Sequence, residues 1–154
     1  MVHKMYIAGE WVESQSGKTF TRVNPADPEE VIGQFQLGNP DDVNRAVDAA
    51  EKALEKWSST PAPKRGRILL KAAQILEARK EELAKIMTRE MGKVLLEARG
   101  DVQEAIDIAE YMAGEGRRLF GHTTTSELRD KFCMTIRRPI GVVGLITPWN
   151  FPMA

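Results

Sequence analysis

The sequence has 154 residues and an even charge balance, with 22 basic and 22 acidic side chains and a formal net charge of zero at pH 7. This length corresponds to about one domain. A content of 42% hydrophobic and 29% charged residues is typical of a globular chain and excludes a disordered one. Because a neutral balance gives no electrostatic argument for nucleic acid or an anionic membrane, we expect neither as a partner.

The cysteine count and the apolar segments indicate a cytoplasmic protein. The single cysteine, Cys133, cannot form an internal disulfide, which is typical of a reducing compartment. The first residues show no charged region followed by an apolar stretch, so no signal peptide is predicted. The longest apolar passage, residues 140–149, is half the length of a membrane span and is broken by Gly141, Gly144 and Pro148.

The first 37 residues predict short strands. A hairpin is expected around the turn Ala8-Gly9-Glu10, and two further strands are separated by the turn-forming residues 24–28. The predicted strands cover residues 4–7, 11–13, 19–23 and 31–37.

Four amphipathic helices are predicted next, over residues 40–57, 64–78, 80–91 and 94–120. Asn39 is suited to capping the first, with Pro40 in its first turn, and Gly92 is a natural stop for the third. Each is expected to bury one apolar stripe. The stripes are Val43, Ala46, Val47, Ala50, Leu54 and Trp57; then Ile68, Leu69, Ala72, Ile75 and Leu76; then Leu83, Ile86 and Met87; and finally Leu95, Ala98, Val102, Ala105, Ile106, Ala109, Met112 and Ala113.

Two strands are predicted towards the end of the sequence. Residues 132–137 alternate apolar and polar side chains, whereas residues 140–147 are almost entirely apolar and predict a strand buried on both faces of a parallel sheet. The order of elements therefore indicates the α/β class. A doubly buried strand requires neighbouring strands and covering helices, and too few residues follow to supply them. We therefore expect the chain to be truncated or to depend on a partner.

The most informative passage is the apolar segment 140–147 followed by the turn Pro148-Trp149-Asn150-Phe151-Pro152. Prolines fix φ and remove backbone donors, so the turn has few alternative conformations. Ligands of α/β sheets bind beyond the carboxyl ends of strands, where an Asn amide can donate to a developing oxyanion. From the residues alone two interpretations stay open: an oxyanion donor, or a structural turn that Asn150 caps.

This passage resembles the aldehyde dehydrogenase superfamily, in which an apolar strand ends in Pro-Trp-Asn-Phe-Pro. The resemblance extends over nearly the whole chain. It implies the N-terminal part of an aldehyde-dehydrogenase-like α/β fold, with a β-hairpin, a helical layer and the first strand of a Rossmann-like parallel sheet, incomplete in this chain. The other segments that are similar are residues 6–11, 23–25, 90–93 and 111–114.

The resemblance implies a role for each residue of the turn. Asn150 matches the side chain that holds the oxyanion formed when a cysteine thiolate attacks an aldehyde. NAD or NADP is the implied cofactor, and no metal site is predicted. The residues that match the cofactor-lining passage are Ile146, Thr147, Pro148, Trp149 and Asn150.

The family's other catalytic parts match no position in this chain. They are the nucleophilic cysteine, the glutamate that activates the deacylating water, and the glycine-rich turn and lysine that hold the adenosine half of the cofactor. Cys133 lies in an alternating strand with no adjacent His, so we interpret it as a structural thiol. The chain alone is therefore predicted to be inactive.

The resemblance also implies a division of the chain and a function. Residues 1–127 would form the N-terminal part of the cofactor-binding domain, residues 128–138 a bridging segment for oligomerisation, and residues 139–154 the first buried strand with its turn. The full-length type of protein would be a homo-oligomer that oxidises an aldehyde, including a semialdehyde, to a carboxylic acid. The alternative hypotheses are a non-catalytic, partner-binding chain and a non-functional truncated product.

Overall fold

The computed structural model describes residues 2–154 as four helices with three small sheets. The three-stranded sheet has the order β1-β5-β4, with β1 parallel and β4 antiparallel to β5, and two separate hairpins are formed by β2 with β3 and by β6 with β7. The strands are β1 Val2–His3, β2 Met5–Ile7, β3 Glu10–Val12, β4 Thr19–Asn24, β5 Asp27–Gln36, β6 Thr123–Thr125 and β7 Phe132–Met134.

The first hairpin is confirmed, with Tyr6 opposite Trp11 and their rings 5.0 Å apart. The fourth predicted strand begins earlier than expected, at Asp27, because the preceding turn is tighter than residues 24–28 suggested. The Asn24 side chain closes that turn: its oxygen accepts from the Ala26 N–H at 2.9 Å, and its amide donates to Glu30 at 2.7 Å.

The four predicted helices are present as α1 Pro40–Ser59, α2 Ala62–Ala78, α3 Lys80–Met91 and α4 Leu95–Glu115. Asn39 and Asp42 form a reciprocal capping box at the start of α1, as the N-cap prediction requires. Gly92 ends α3 in the left-handed conformation with φ 77°, which glycine adopts without a steric penalty. The fourth helix ends at Glu115 and not at residue 120.

The buried core lies where α2 and α3 pack against α4. The stripe predicted for α4 is confirmed except for Met112, which is exposed. The stripe predicted for α2 is confirmed at Leu76, which is half-buried against the core, and is otherwise wrong, because the helix buries Gly66 and Ala73 instead. The core residues are Ala73, Ala84, Met87, Ala98, Val102 and Ile106, whereas Ile68, Leu69, Ala72 and Ile75 are exposed.

The predicted burial of the α1 stripe is also wrong. Asp42 is the buried residue of this helix, and Leu54 is half-buried. The other predicted members have no covering element among residues 2–154, since α1 contacts the first hairpin lightly and lies outside the α2–α4 core. The exposed members are Val43, Ala46, Val47, Ala50 and Trp57.

The segment predicted as a doubly buried strand, residues 140–147, is not a strand in this structure. Its residues are exposed apart from Gly141, which is half-buried, and Ile146 is fully solvent-accessible. The physical reason is that an apolar strand is stabilised by ladder partners on its flanks, and none of residues 2–154 pairs with it. The alternating segment is shorter than expected, as β7 ends at Met134.

No helix within residues 2–154 combines the length and the apolar character that crossing a bilayer requires.

Candidate functional site

The proline-bracketed passage forms a turn at residues 149–152, as the motif predicts. The turn lies against the helical core through Met153, which is half-buried and packs on the core cluster. Residues 142–148 are exposed, whereas the turn that follows them is attached to α3 and α4.

Lys93 makes the central contacts of this attachment. Its position follows from Gly92, whose left-handed backbone ends α3 and turns the chain towards α4. The Lys93 ammonium donates to Asp101 Oδ2 at 3.0 Å and to the backbone carbonyl of Asn150 at 2.7 Å. It also lies 4.2 Å from the centroid of the Phe151 ring, a cation–π geometry.

Asp101 is the fixed partner of Lys93. Its side chain is 0% exposed and that of Lys93 is 11% exposed, so the ion pair is almost completely removed from water. The second carboxylate oxygen, Oδ1, accepts from the backbone N–H of Ala154 at 3.1 Å. Asp101 is therefore linked to residue 154 directly and to residue 150 through Lys93.

The indole of Trp149 lies on a groove of about 340 Å³ between the turn and the C-terminal half of α3. The indole is 85% exposed, so it forms a wall of this groove and is not part of the core. The other residues that line the groove are Arg22, Leu83, Ile86, Met87, Glu90, Met91, Pro152 and Met153.

The carboxamide of Asn150, the predicted oxyanion donor, is exposed. Within residues 2–154 it has no hydrogen-bond partner, and the contact made by this residue uses its backbone carbonyl. The interpretation of Asn150 as a cap that holds the turn together is therefore not supported. Asn150 is also not one of the residues that line the groove beside Trp149.

The other predicted cofactor-lining residues, Ile146, Thr147 and Pro148, are exposed along the extended segment that leads into the turn. No hydrogen bond within residues 2–154 engages the peptide groups of residues 146–149. The backbone polar groups of these residues are therefore available to a ligand.

A profile of the aldehyde dehydrogenase family matches residues 11–154. The chain belongs to the aldehyde dehydrogenase family. The match covers the helices, the β6–β7 hairpin and the turn that carries Asn150, so the predicted family and its partial α/β fold are confirmed.

Individual family members agree with this assignment. The alpha-ketoglutaric semialdehyde dehydrogenase of Bacillus subtilis (strain 168) is 47% identical over 149 residues, which cover 97% of this chain and 30% of that protein. The chain therefore spans about 30% of the length of this curated relative.

Solved structures of family members superpose closely on the chain. An Escherichia coli NADP-dependent enzyme has a TM-score of 0.94 at 36% identity, covering 98% of this chain and 31% of that one. A betaine aldehyde dehydrogenase from Staphylococcus aureus in complex with NAD+ has a TM-score of 0.93 at 35% identity, covering 98% of this chain and 30% of that one.

Sequence reasoning missed the roles of Lys93 and Asp101. A signal for Asp101 was present, because this acidic residue occupies the apolar stripe of α4 between Ala98 and Ala105. A carboxylate on a core-facing position requires a partner, and it could have been flagged on that ground. Its partner is eight residues earlier, across a helix break, which helical spacing does not predict.

Cys133 is half-buried in β7, where it pairs with Thr124 of β6.

Proposed function

We propose that this chain supplies the oxyanion-holding turn and one wall of the cofactor pocket of an NAD(P)-dependent aldehyde dehydrogenase. The reaction is oxidation of an aldehyde, with semialdehydes as the favoured class, to a carboxylic acid. The observation that carries this proposal is the free carboxamide of Asn150 on a proline-bracketed turn, within a family match that runs to residue 154. The semialdehyde class is supported by the relative from Bacillus subtilis.

Asn150 would act on the carbonyl oxygen of the substrate. When a nucleophile adds to an aldehyde, this oxygen becomes an anion, and a preorganised N–H donor stabilises it more than it stabilises the neutral carbonyl. The Asn150 amide is suited to this role because no intramolecular acceptor within residues 2–154 occupies it, so no existing hydrogen bond has to break.

The peptide groups of residues 146–149, the Trp149 ring and the Asn150 backbone would form the cofactor wall. When bound, NAD or NADP supplies the acceptor for the hydride that leaves the substrate. The chain's own contribution is to orient this group and to keep water from one side of it.

The division of the chain follows from the same proposal. Residues 1–127 begin the cofactor-binding domain, residues 128–138 bridge to a second subunit in a homo-oligomer, and residues 139–154 add a sheet strand and the turn. The exposed apolar side chains of residues 140–147 support this assignment, since they are suited to a sheet interior. The single cysteine supports a cytoplasmic location.

A chimera tests the proposal. Residues 1–154 replace the matched N-terminal segment of the Bacillus subtilis relative, and NAD(P)H formation is followed by absorbance with alpha-ketoglutaric semialdehyde. We expect the chimera to be active and the 154-residue chain alone to be inactive. In the chimera, Asn150→Ala should lower kcat by roughly 10²–10³-fold, the usual cost of removing one oxyanion donor.

Asn44→Ala provides the matched control, because Asn44 is an exposed amide on α1. It should leave kcat unchanged. An active chimera whose turnover is equally insensitive to both substitutions would rule out the proposed role of Asn150.

A further inference from the structure

We infer that Lys93 is the positioning residue of the Asn150 turn. The buried Asp101 carboxylate holds the Lys93 ammonium in place. This inference rests on the proposed function of the turn. Lys93 acts on the carboxamide indirectly, by holding the backbone from which it projects.

Lys93 contacts Asn150 itself, the residue that carries the proposed oxyanion donor. Its ammonium donates to the carbonyl of Asn150 itself at 2.7 Å. An Asn side chain has two rotatable bonds, so its amide can be aimed only if its own backbone is held still. A charged donor gives a stronger hydrogen bond than a neutral one, and the Phe151 ring, 4.2 Å away, is a further contact of the ammonium.

Asp101 fixes Lys93 and the end of the turn together. Its two oxygens accept from Lys93 and from the Ala154 N–H. One side chain of α4 therefore holds residue 154 directly and residue 150 through Lys93. The carboxylate is fully buried within a helix that also forms the core, and it cannot follow movements of the turn. The turn is therefore held in a fixed position relative to α4.

A role in stability alone does not account for this arrangement. Buried ion pairs contribute little net stability compared with apolar residues of the same size, because both charges lose their hydration. An apolar pair at positions 93 and 101 would fill the space but would leave the Asn150 carbonyl without its donor. The feature that only the charged pair provides is the fixed direction of the Asn150 backbone.

The test uses variants that leave no lone buried charge. Lys93→Met alone would strand the Asp101 carboxylate, so it is combined with Asp101→Asn, which keeps an acceptor for the Ala154 N–H. Lys93→Arg is the conservative variant and retains a cation. Lys80→Met is the matched control, because Lys80 also extends from α3 to a side chain of α4, Gln103, at 2.6 Å, but does not touch the turn.

The first measurement is amide hydrogen exchange of the 154-residue chain. In the double variant, the Ala154 amide, which donates to residue 101, should exchange roughly 10- to 100-fold faster, as expected when a hydrogen bond to a charged group is weakened and the turn is no longer held, while exchange in α4 is unchanged. Lys80→Met should leave the turn as it is. Unchanged exchange of the turn in the double variant would overturn the inference.

A measurement on the unaltered chain does not depend on any variant folding. Amine labelling of Lys93 should be at least roughly tenfold slower than that of Lys85, whose side chain is 62% exposed, because the Lys93 ammonium is held by its partners. Equal labelling rates would contradict the fixed position of Lys93.

The second measurement places the same substitutions in the chimera. The double variant should lower kcat by roughly 10- to 100-fold, the scale expected for small displacements of a catalytic group, with KM for the aldehyde little changed. Lys93→Arg, which retains a cation, should keep kcat close to that of the unaltered chimera. If Asn150→Ala is damaging but the double variant is not, the positioning role fails; if Asn150→Ala is harmless, the proposed function fails instead, and the exchange data decide whether Lys93 holds the turn.

Discussion

Asp42 is the residue with the densest hydrogen bonding at the junction of the strands and α1. Its buried carboxylate accepts from the Ser14 hydroxyl at 2.6 Å, and from the backbone N–H groups of Gln15 and Asn39, each at 3.1 Å. These donors favour the charged form, so the pKa of Asp42 is lowered from its ordinary value of 3.8; the Ser14 bond is the largest cause, followed by the backbone bonds and the charge of Arg45, against the opposing effect of burial.

The lowered pKa of Asp42 predicts an acid-dependent contribution to stability. Because the folded pKa lies below the unfolded one, the contribution is complete above the unfolded pKa and is lost as pH falls through the folded pKa. Urea unfolding followed at a series of pH values should show Asp42→Asn losing stability relative to the parent near neutral pH, with the difference shrinking below the ordinary value of 3.8.

The neighbouring Asp41 is the control for this prediction. It is exposed in the same helical turn, and Asp41→Asn should leave both the stability near neutral pH and its acid dependence almost unchanged. Equal pH profiles for the two variants would show that the Asp42 network does not contribute.

The two carboxylates, Asp42 and Asp101, differ in how well the sequence predicts them. The N-cap at Asn39 was predictable because capping depends on residues three apart in one helical turn. The bonds of Asp42 to Ser14, and of Asp101 to Lys93 and Ala154, join segments separated by strands or a helix break. Such pairings depend on how elements pack, and local spacing contains no information on them.

Among the helices, the crossing of α2 and α4 depends on two glycines. A Cβ at Gly66 would collide with the backbone carbonyl of Ala113, and a Cβ at Gly116 would lie 2.6 Å from the carbonyl oxygen of Ala62. Backbone atoms cannot move aside as the end of a flexible side chain can. The helices therefore approach more closely than any larger residue at these positions would allow.

This close approach predicts that Gly66→Ala destabilises the chain. Overpacking against backbone should cost about 1–3 kcal/mol, in spite of the better helix propensity of alanine. Gly100→Ala is the matched control in α4, where nothing lies within 4 Å of the new Cβ. It should stabilise by about 0.5–1 kcal/mol. Thermal and urea unfolding of the two variants measure the change in the free energy of unfolding and its sign. Stabilisation by Gly66→Ala would refute the glycine-mediated crossing.

The same crossing explains why some helix faces were predicted and others were not. Periodicity identifies that a helix has an apolar side, and for α4 this side is the buried one. In α2 the buried side consists of Gly66 and Ala73, which carry little apolar weight, while Ile68 and Ile75 lie on the exposed side. Choosing between two plausible faces requires knowledge of the neighbouring helix, which a single sequence does not provide.

Over the whole molecule, the buried core lies within residues 62–115, whereas residues 136–148 have no backbone hydrogen bond within residues 2–154. The latter segment forms no sheet or helix, and the apolar side chains of Ile140, Leu145 and Ile146 are almost completely exposed. Segments without backbone hydrogen bonds or buried contacts open at little cost in free energy.

Limited proteolysis with trypsin tests this distribution. We expect the first cut after Arg137, before any cut within α2, α3 or α4, as identified by mass spectrometry of early products; the bond after Arg138 is protected because Pro139 follows it. Lys71 is the internal control, because its side chain is exposed but its backbone is helical. Early cleavage at Lys71 would contradict the expected order.

The order of elements along the chain was predictable, and so was the identity of the turn. The hairpin, the four helices and the bend at residues 149–152 each depend on nearby residues. The strand predicted at residues 140–147 did not form, because a sheet interior depends on partners outside the segment. The apolar pattern of that segment is local, whereas strand formation requires pairing with other segments.

The helices of the core, α2 to α4, are consecutive in the chain, and their contacts with one another are made by residues 62–116. Packing among near neighbours in sequence closes short loops and forms quickly. On a translating ribosome, this unit can therefore assemble before residues 117–154 have left the exit tunnel. The Lys93–Asp101 pair would then be in place before Asn150 emerges, ready to receive the turn.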